Sequence, residues 1–262
     1  MAFPALPDLP GKFKPYLMAH RGNRVACPEN TLAAFQRAIE DGADILETDL
    51  HLSSDGAFMC IHDASVDRTT NGSGAVAEKT LVELKSLSAF YGRAGFEAET
   101  IPTLKEVAAV LPSNVALALE LKTDRFLEPE ICKRLAGELL QAGVRERTMI
   151  LSFSLERLRN IQRVAPDMPI GLISMSGILP NSEPRLLGLF FPFLFLNPFF
   201  VRLAHARNQA VCPLDPLPDK RLGYYLRLGC DAILSDNPAA TREALLKRQR
   251  HPSSSNHYGG EQ

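Results

Sequence analysis

Short apolar segments alternate with helix-like segments along most of the chain, and this alternation constrains the fold more than any other feature. The predicted strands are Leu17-His20, Ile45-Leu52, Phe58-His62, Val115-Leu121, Met149-Ser152, Ile170-Ile173, Leu194-Asn197, Ala210-Leu214 and Ala232-Ser235. The predicted helices are Leu32-Asp41, Leu104-Leu111, Pro129-Ala142, Leu155-Ala165, Phe199-Asn208, Pro218-Leu228 and Pro238-Gln249. Asp55-Gly56 is a strong hairpin-turn signal, which makes Phe58-His62 the antiparallel partner of Ile45-Leu52. The other eight strands predict an α/β fold, a (β/α)8 TIM barrel.

The chain has the length of one such barrel. Its 262 residues, 45% of them hydrophobic, predict a single domain over residues 1 to 250. Residues 63 to 100 lack the barrel periodicity, which indicates a small insertion over the mouth, after the second barrel strand and its hairpin. Residues 251 to 262 are rich in serine and glycine, so we expect a disordered tail there.

Charge and cysteine content exclude several classes of protein. A net charge of −1 argues against a nucleic-acid partner, because nucleic-acid-binding surfaces are basic. The cysteines are odd in number and lack C-x-x-C spacing, so neither a disulfide framework nor a zinc site is expected. Residues 1 to 15 are proline-rich without the apolar core of a signal peptide, and we therefore expect a cytoplasmic location.

Residues suited to acid–base and metal chemistry lie at or near the predicted strand ends, where barrels of this type carry their sites. They are the histidines His20 and His62, the cations Arg21 and Lys122, and the carboxylates Glu47, Asp49 and Glu120. Carboxylate oxygens suit one hard divalent cation, Mg²⁺ or Ca²⁺, and the two cationic side chains suit a phosphodiester. The imidazoles can exchange protons near neutral pH, and we favour His20 as base and His62 as acid. This set predicts metal-assisted cleavage of a phosphodiester.

Strand geometry brings the carboxylates and one histidine together. Side chains alternate across a strand, so Glu47 and Asp49 share a face, as do Glu120 and Lys122 on the later strand. If Asp55-Gly56 alone forms the turn, Asp49 lies opposite His62. A shift of one residue in this register would move the histidine to the other face. A buried polar face is costly unless its groups are paired or bind a metal.

Each of these features alone has an ordinary structural explanation. A single His-Asp or Glu-x-Asp pair is more often a surface or capping arrangement, and it is the joint occurrence at strand ends that indicates a site. Pro28-Glu29-Asn30-Thr31 is predicted to be a turn in which Asn30 or Thr31 caps the next helix. Glu29 is alternatively a residue that orients part of the site.

The motifs resemble those of the glycerophosphodiester phosphodiesterase family. The similar segments cover residues 16 to 245 and are His20-Arg21-Gly22, Pro28-Glu29-Asn30-Thr31, Glu47-x-Asp49, His62-Asp63, Arg68-Thr69-Thr70-x-Gly72-x-Gly74, Ile101-Pro102-Thr103-Leu104, Glu120-Leu121-Lys122, Ser152-Phe153 and Gly229 to Pro238. The resemblance implies hydrolysis of glycerophosphodiesters, such as glycerophosphocholine or glycerophosphoethanolamine, to an alcohol and sn-glycerol 3-phosphate. It also implies that a glycerol hydroxyl or water attacks the phosphorus.

The chain departs from the family pattern at the seventh strand, which in the family carries a tryptophan and ends in W-T-x-N. Here the corresponding segment is Cys212-Pro213-Leu214-Asp215, and the chain contains no tryptophan. Because the family uses this strand to line its glycerol pocket, the departure bears on the leaving group that the site accepts.

Residues 186 to 201 are apolar, rich in phenylalanine and free of charge. The prolines Pro192 and Pro198 make this stretch a poor membrane-spanning helix. We favour a buried barrel strand in its C-terminal half, with the rest packed against neighbouring helices. The alternative is that Phe190 to Phe193 form an apolar lip that holds a lipid tail or contacts a membrane surface.

Two other functions stay open at this point. A lysophospholipase D would use the same polar residues on lysophospholipids, with the phenylalanine-rich stretch as the site for the acyl chain. A non-catalytic barrel that only binds phosphate is a third class, and the presence of both histidines and all three carboxylates argues against it. The sequence does not give the oligomeric state.

Overall fold

The structure is a computed structural model that describes residue 6 and residues 9 to 250. The strands are β1 Tyr16–His20, β2 Ile45–Leu52, β3 Phe58–Cys60, β4 Ala116–Leu121, β5 Thr148–Ser152, β6 Ile170–Ser174, β7 Leu186–Phe190, β8 Ala210–Leu214 and β9 Ala232–Ser235. The α-helices are α1 Leu32–Glu40, α2 Leu81–Lys85, α3 Leu104–Val110, α4 Pro129–Gln141, α5 Leu155–Val164, α6 Pro192–Leu196, α7 Phe200–His205, α8 Leu222–Leu228 and α9 Pro238–Arg250. Short 3₁₀ turns span Val76–Glu78, Asp124–Leu127 and Arg145–Arg147.

Eight parallel strands form a nearly closed barrel. Their order around the sheet is β8-β7-β6-β5-β4-β2-β1-β9, while β3 pairs antiparallel with β2 outside this path. The two ends of the path meet where the backbone N–H of Asp231, just before β9, donates to the carbonyl of Val211 in β8 at 2.9 Å. The predicted (β/α)8 barrel is confirmed.

The barrel interior changes from apolar to polar along its strands. Near the amino ends, Tyr16, Met18, Ile45, Ala116 and Ala118 belong to one buried apolar cluster that fills the barrel. Because side chains alternate, the next residues on the same faces of β1, β2 and β4 are His20, Glu47, Asp49 and Glu120. The predicted polar residues therefore lie above this core, at the carboxyl ends of their strands.

The predicted hairpin register is wrong by one residue. Leu50 pairs with Cys60, and the N–H of Ile61 donates to the carbonyl of Asp49, so Ile61 rather than His62 lies opposite Asp49. The reason is that the turn has three residues, 54 to 56, closed by a bond from Ser53 to Ala57 and by Gly56 at φ 88°. The strand ends at Cys60, so strand alternation does not determine the direction of His62.

The strand predicted at Leu194-Asn197 is also wrong. The barrel strand is the first part of the apolar stretch, Leu186–Phe190, and Leu194 lies in the short helix α6. Pro192 explains the difference, because proline cannot donate to a strand ladder but is well tolerated in the first turn of a helix. Residues 175 to 185, all of them described, contain no helix, so strands β6 and β7 are joined by an irregular segment.

Residues 63 to 100 contain a short helix and a 3₁₀ turn, and they pack with the neighbouring residues of β3 and Ile101 around a small apolar cluster. Its members are Met59, Ile61, Val66, Val76, Leu84, Ala89 and Ile101. The tail predicted over residues 251 to 262 lies outside the described residues. Among the described residues, no helix is long and apolar enough to cross a membrane.

Gly22, in the loop after β1, packs closely against the backbone of helix α1. Its φ is 80°, and a Cβ there would lie 2.6 Å from the backbone carbon of Ala34. We expect Gly22→Ala to lower the free energy of unfolding by about 2 kcal/mol or more, because both the dihedral angle and the helix backbone oppose a side chain. The measurement is urea denaturation.

The control is Gly137→Ala in helix α4, where a Cβ meets nothing within 4 Å. This change should stabilise the protein by roughly 0.5–1 kcal/mol, because alanine favours the helix more than glycine. Equal effects of the two substitutions would contradict the close packing of the β1 loop against helix α1.

Candidate active site

A cavity of about 130 Å³ opens at the carboxyl ends of the barrel strands. Its polar side is lined by His20, Arg21, Glu47, His62, Glu120 and Lys122. Its apolar side is lined by Met18, Leu151, Phe153, Ile173, Leu186, Gly188, Cys212, Pro213, Leu214 and Leu234. The polar side therefore comes from β1 to β4, and the apolar side, apart from Met18 of β1, comes from β5 to β9.

Three buried carboxylates, Glu47, Asp49 and Glu120, form a compact group that we call the carboxylate trio. One oxygen from each lies within 4.8 Å of the others. Burial and the neighbouring charges of Asp49 and Glu120 raise the pKa of Glu47 well above its ordinary value. Burial and the charge of Asp49 raise the pKa of Glu120 to about 7. Close, buried like charges of this kind are costly unless a cation neutralises them.

The trio fits a divalent cation. Asp49 Oδ1 is buried and accepts no hydrogen bond from the described residues, although Lys122 Nζ lies 3.6 Å away. A buried oxygen without a hydrogen bond, beside two carboxylates whose ionisation is disfavoured, offers the all-oxygen surroundings that hard cations prefer. Glu47, Asp49 and Glu120 can therefore hold a metal ion, and the predicted ligands lie together.

Asp49 is held by groups from the loop after β1. Asn30 Nδ2 donates to Asp49 Oδ2 at 2.9 Å, and Thr48 Oγ1 donates to Asn30 Oδ1 at 2.7 Å. Burial alone would raise the pKa of Asp49, but Arg21, Lys122 and His62 lower it below its ordinary value. Asn30 was predicted only as a possible helix cap, a role that Thr31 fills by accepting from the N–H of Ala34.

Glu29 joins three arginines of the site. Its Oε1 accepts from Arg21 at 2.9 Å and from Arg68 at 2.8 Å, and its Oε2 pairs with Arg24 at 3.0 Å. Burial opposes ionisation, but the hydrogen bond from Arg68 and the charges of Arg21 and Arg24 lower the pKa of Glu29 to about 2. The alternative prediction, that Glu29 orients part of the site, agrees with these contacts.

Arg21 connects Glu29 to the trio. Its Nε lies 3.2 Å from Asp49 Oδ2, and its backbone N–H donates to Glu47 Oε2 at 3.0 Å. Its φ of 57° is unusual for a residue with a side chain, and such strain persists only where the surroundings hold it. Lys122 lies on the other side, with Nζ 3.0 Å from Glu120 Oε1.

Each histidine of the cavity has a carboxylate at Nδ1. His20 Nδ1 is 2.7 Å from Asp236 Oδ1, and His62 Nδ1 is 2.6 Å from Asp63 Oδ1. Arg68 donates from Nε to Asp63 Oδ2 at 2.6 Å, and this bond is the main cause of a lowered pKa for Asp63. Burial lowers the pKa of His62, although Asp49 and Asp63 oppose the shift.

The structure thus brings all seven predicted site residues together and adds four others. The added residues are Asn30, Asp63, Arg68 and Asp236, each bonded to a predicted site residue or to its carboxylate partner. All four lie in segments that resemble the family motifs, which was the one signal for them in the sequence.

The fold and the cavity define a TIM-barrel protein with a buried carboxylate trio between two histidine–carboxylate pairs. The model of the Glycerophosphoryl diester phosphodiesterase family matches residues 20 to 240. The chain belongs to this family and is a phosphoric diester hydrolase.

Related proteins are similar in sequence to this chain over most of its length. A glycerophosphodiester phosphodiesterase of Caldanaerobacter subterraneus is 35% identical over 235 residues, covering 86% of this chain and 95% of the relative. A glycerophosphodiester phosphodiesterase of Bacillus altitudinis is 30% identical, covering 85% of this chain and 94% of the relative. The structure of an Oleispira antarctica phosphodiesterase in complex with the product sn-glycerol-3-phosphate is similar, with a TM-score of 0.80 and 28% identity, covering 90% of this chain and 97% of the other.

Metal binding should be measurable as an increase in the free energy of unfolding. Mg²⁺ or Ca²⁺ at 100 times its dissociation constant should stabilise the fold by about 2.7 kcal/mol, because the ion binds only where the trio is assembled. Glu120→Gln should remove most of this gain by withdrawing one charged ligand. Thermal unfolding with and without the ion tests it.

The matched control for this experiment is Glu130→Gln, whose side chain is 80% exposed and pairs only with Lys133 among the described residues. It should keep the full stabilisation by the ion. An equal loss in both variants, or no stabilisation of the unmodified protein, would argue against a cation at the trio.

Proposed function

We propose that this chain hydrolyses glycerophosphodiesters, such as glycerophosphocholine or glycerophosphoethanolamine, to an alcohol and sn-glycerol 3-phosphate, with one Mg²⁺ or Ca²⁺. The observation that carries the proposal is the placement of two histidine–carboxylate pairs around one cavity with the carboxylate trio. The product bound in the Oleispira antarctica structure supports the glycerol phosphate half of this substrate class.

The two histidines transfer the protons in this proposal. Because Asp236 and Asp63 engage Nδ1 of His20 and His62, each neutral ring keeps Nε2 as its other proton site. His20 Nε2 accepts the proton of the attacking water, or of the glycerol hydroxyl; in the second case a cyclic glycerol phosphate forms first, and water then opens it to sn-glycerol 3-phosphate. His62 Nε2 gives a proton to the oxygen of the leaving alcohol, and its lowered pKa makes the protonated ring a stronger acid.

The cationic residues hold the phosphodiester. Arg21 and Lys122 line the polar side of the cavity, and each is already fixed by a carboxylate. Fixed charges in a buried site stabilise developing negative charge without first having to reorient. A cation held by Glu47, Asp49 and Glu120 would add Lewis-acid polarisation of a phosphoryl oxygen.

Lysophospholipase D activity is the second candidate, and the apolar side of the cavity favours it. Phe153, Ile173 and Leu214 offer contact area to the glycerol and acyl part of a lysophospholipid but no hydrogen bonds from their side chains to a free sugar or polyol. Cys212, Pro213 and Leu214 occupy the segment where the family carries its tryptophan motif, and they make this side more apolar.

The five cysteines are free and buried, which supports the expected cytoplasmic location, because disulfides are rare in the cytosol. A cytoplasmic location remains a prediction.

Replacement of the histidines tests the proton transfers. His20→Ala and His62→Ala should each lower kcat at least about 10²-fold, the usual effect of losing a positioned acid or base. His205→Ala is the control, because His205 also pairs with an aspartate, Asp231, but lies outside the cavity lining. Near-normal turnover in a well-folded His20 or His62 variant would remove that histidine from the mechanism.

A substrate panel tests the proposed activity and its metal. Glycerophosphocholine, glycerophosphoethanolamine, glycerophosphoinositol and lysophosphatidylcholine are each assayed with Mg²⁺, Ca²⁺ or EDTA. We expect release of sn-glycerol 3-phosphate from the water-soluble diesters, no turnover in EDTA, and restoration by Mg²⁺ or Ca²⁺. Turnover of lysophosphatidylcholine alone would select the second candidate, and full activity in EDTA would contradict metal dependence.

A further inference from the structure

An exposed apolar surface borders the apolar side of the catalytic cavity. It lies on the segments that follow strands β5 to β8, and its large side chains are between 47% and 71% exposed. We call this surface the apolar rim; its members are Phe153, Met175, Ile178, Leu179, Phe195, Leu196, Phe199 and Leu217.

Contacts between the segments after β6, β7 and β8 join most of the rim into one surface. Asn197 Nδ2 donates to the carbonyl of Ile178 at 2.6 Å, which connects the segment after β6 to the end of helix α6. Phe195 of α6 stacks on Tyr224 of α8, with ring centroids 4.4 Å apart. Arg221 lies over the ring of Phe191 and donates to the carbonyl of Leu217 at 3.0 Å, which connects the segment after β8.

The rim differs from the other exposed apolar residues of the protein. Phe13, Val82 and Leu140 are as exposed, but they lie on three separate elements, the segment before β1, helix α2 and helix α4. Isolated apolar residues on a surface are ordinary, whereas a continuous apolar surface marks an interaction site.

The central part of the rim carries no acidic side chain. Residues 186 to 201, which include Phe195, Leu196 and Phe199, contain no charge at all. Arg202 lies in α7 between rim residue Phe199 and the exposed Leu203, and within the described part of the chain it forms no ion pair. Exposed phenylalanine and leucine beside an arginine without an ion pair suit the boundary between the headgroups and acyl chains of an anionic bilayer.

The rim also continues into the catalytic cavity. Phe153 belongs to both, and Leu214 in the cavity wall is three residues before Leu217 in the rim. A planar apolar phase against the rim would thus lie next to the apolar side of the cavity. The opposite, charged side of the mouth would face the headgroups.

We propose that the apolar rim docks the barrel mouth on an anionic phospholipid bilayer, with Phe195, Leu196 and Phe199 inserted at its surface. This binding does not depend on which diester is cleaved. It lets a diester that carries an acyl chain pass from the bilayer to the cavity without crossing water, while water-soluble diesters enter directly.

The experiment is flotation of the full-length protein with large unilamellar vesicles. They are made either of phosphatidylcholine with roughly 30% phosphatidylglycerol, which gives a negative surface potential, or of phosphatidylcholine alone. The rim variant is Leu196→Ser with Phe199→Ser, at side chains 71% and 64% exposed. The control is Val82→Ser with Leu140→Ser, at 78% and 61% exposure outside the rim. The two pairs remove similar exposed apolar area.

We expect the unmodified protein and the control to bind anionic vesicles, and the rim variant to bind at least about tenfold more weakly, a change of about 1.4 kcal/mol. Arg202→Gln should weaken binding to anionic vesicles only. Hydrolysis of glycerophosphocholine should stay unchanged in all variants, which separates this proposal from the proposed activity.

Three outcomes would overturn the proposal. The first is no binding of the unmodified protein to either vesicle. The second is an equal loss in the rim and control variants. The third is a dimer, seen by size-exclusion chromatography with light scattering, that the rim variant dissociates while vesicle binding is absent, because the rim would then be a contact between two copies of the chain. A rim variant that unfolds early is replaced by Phe199→Ser alone.

Discussion

The mutual repulsion of three buried carboxylates is the interaction on which the barrel mouth depends. Burial and mutual repulsion raise the pKa of Glu47 and of Glu120, so their charged forms are disfavoured. Arg21 and Lys122 lower the pKa of Asp49, so its charged form is favoured. Those two cations are in turn fixed by Glu29 and Glu120. Because Arg21 and Lys122 each lie between two carboxylates, losing either cation leaves uncompensated buried charge, which usually costs several kcal/mol.

The sequence predicted the barrel and its site because both depend on local patterns. Each of the strands β1, β2 and β4 combines an apolar amino end with a polar residue near its carboxyl end, and alternation alone puts Glu47 and Asp49 on one face. The residue types indicated phosphodiester cleavage, and resemblance to known motifs supplied the class of substrate. Neither source depends on contacts between distant parts of the chain.

Contacts between distant parts of the chain account for the site residues that the sequence did not predict. Asp236 reaches His20 across 216 residues, and Arg68 reaches Glu29 across 39, so no spacing rule indicates either pair. The strand in the phenylalanine-rich stretch was misplaced for a different reason. Leu186–Phe190 and Leu194 to Asn197 are similarly apolar, and only the effect of Pro192 on the backbone distinguishes a strand from a helix there.

The division of the mouth into a charged and an apolar side has consequences for both chemistry and binding. On β5, β6 and β8 the residues that line the cavity are apolar, namely Leu151, Ile173 and Cys212 with Leu214. An apolar wall lowers the local polarisability, so in the proposed mechanism the charges of Arg21 and Lys122 would act more strongly on a phosphodiester in the cavity than they would in water. The same wall excludes water from the side where an apolar part of a substrate would lie. One arrangement of side chains thus strengthens the electrostatics of the site and extends the cavity toward the apolar rim.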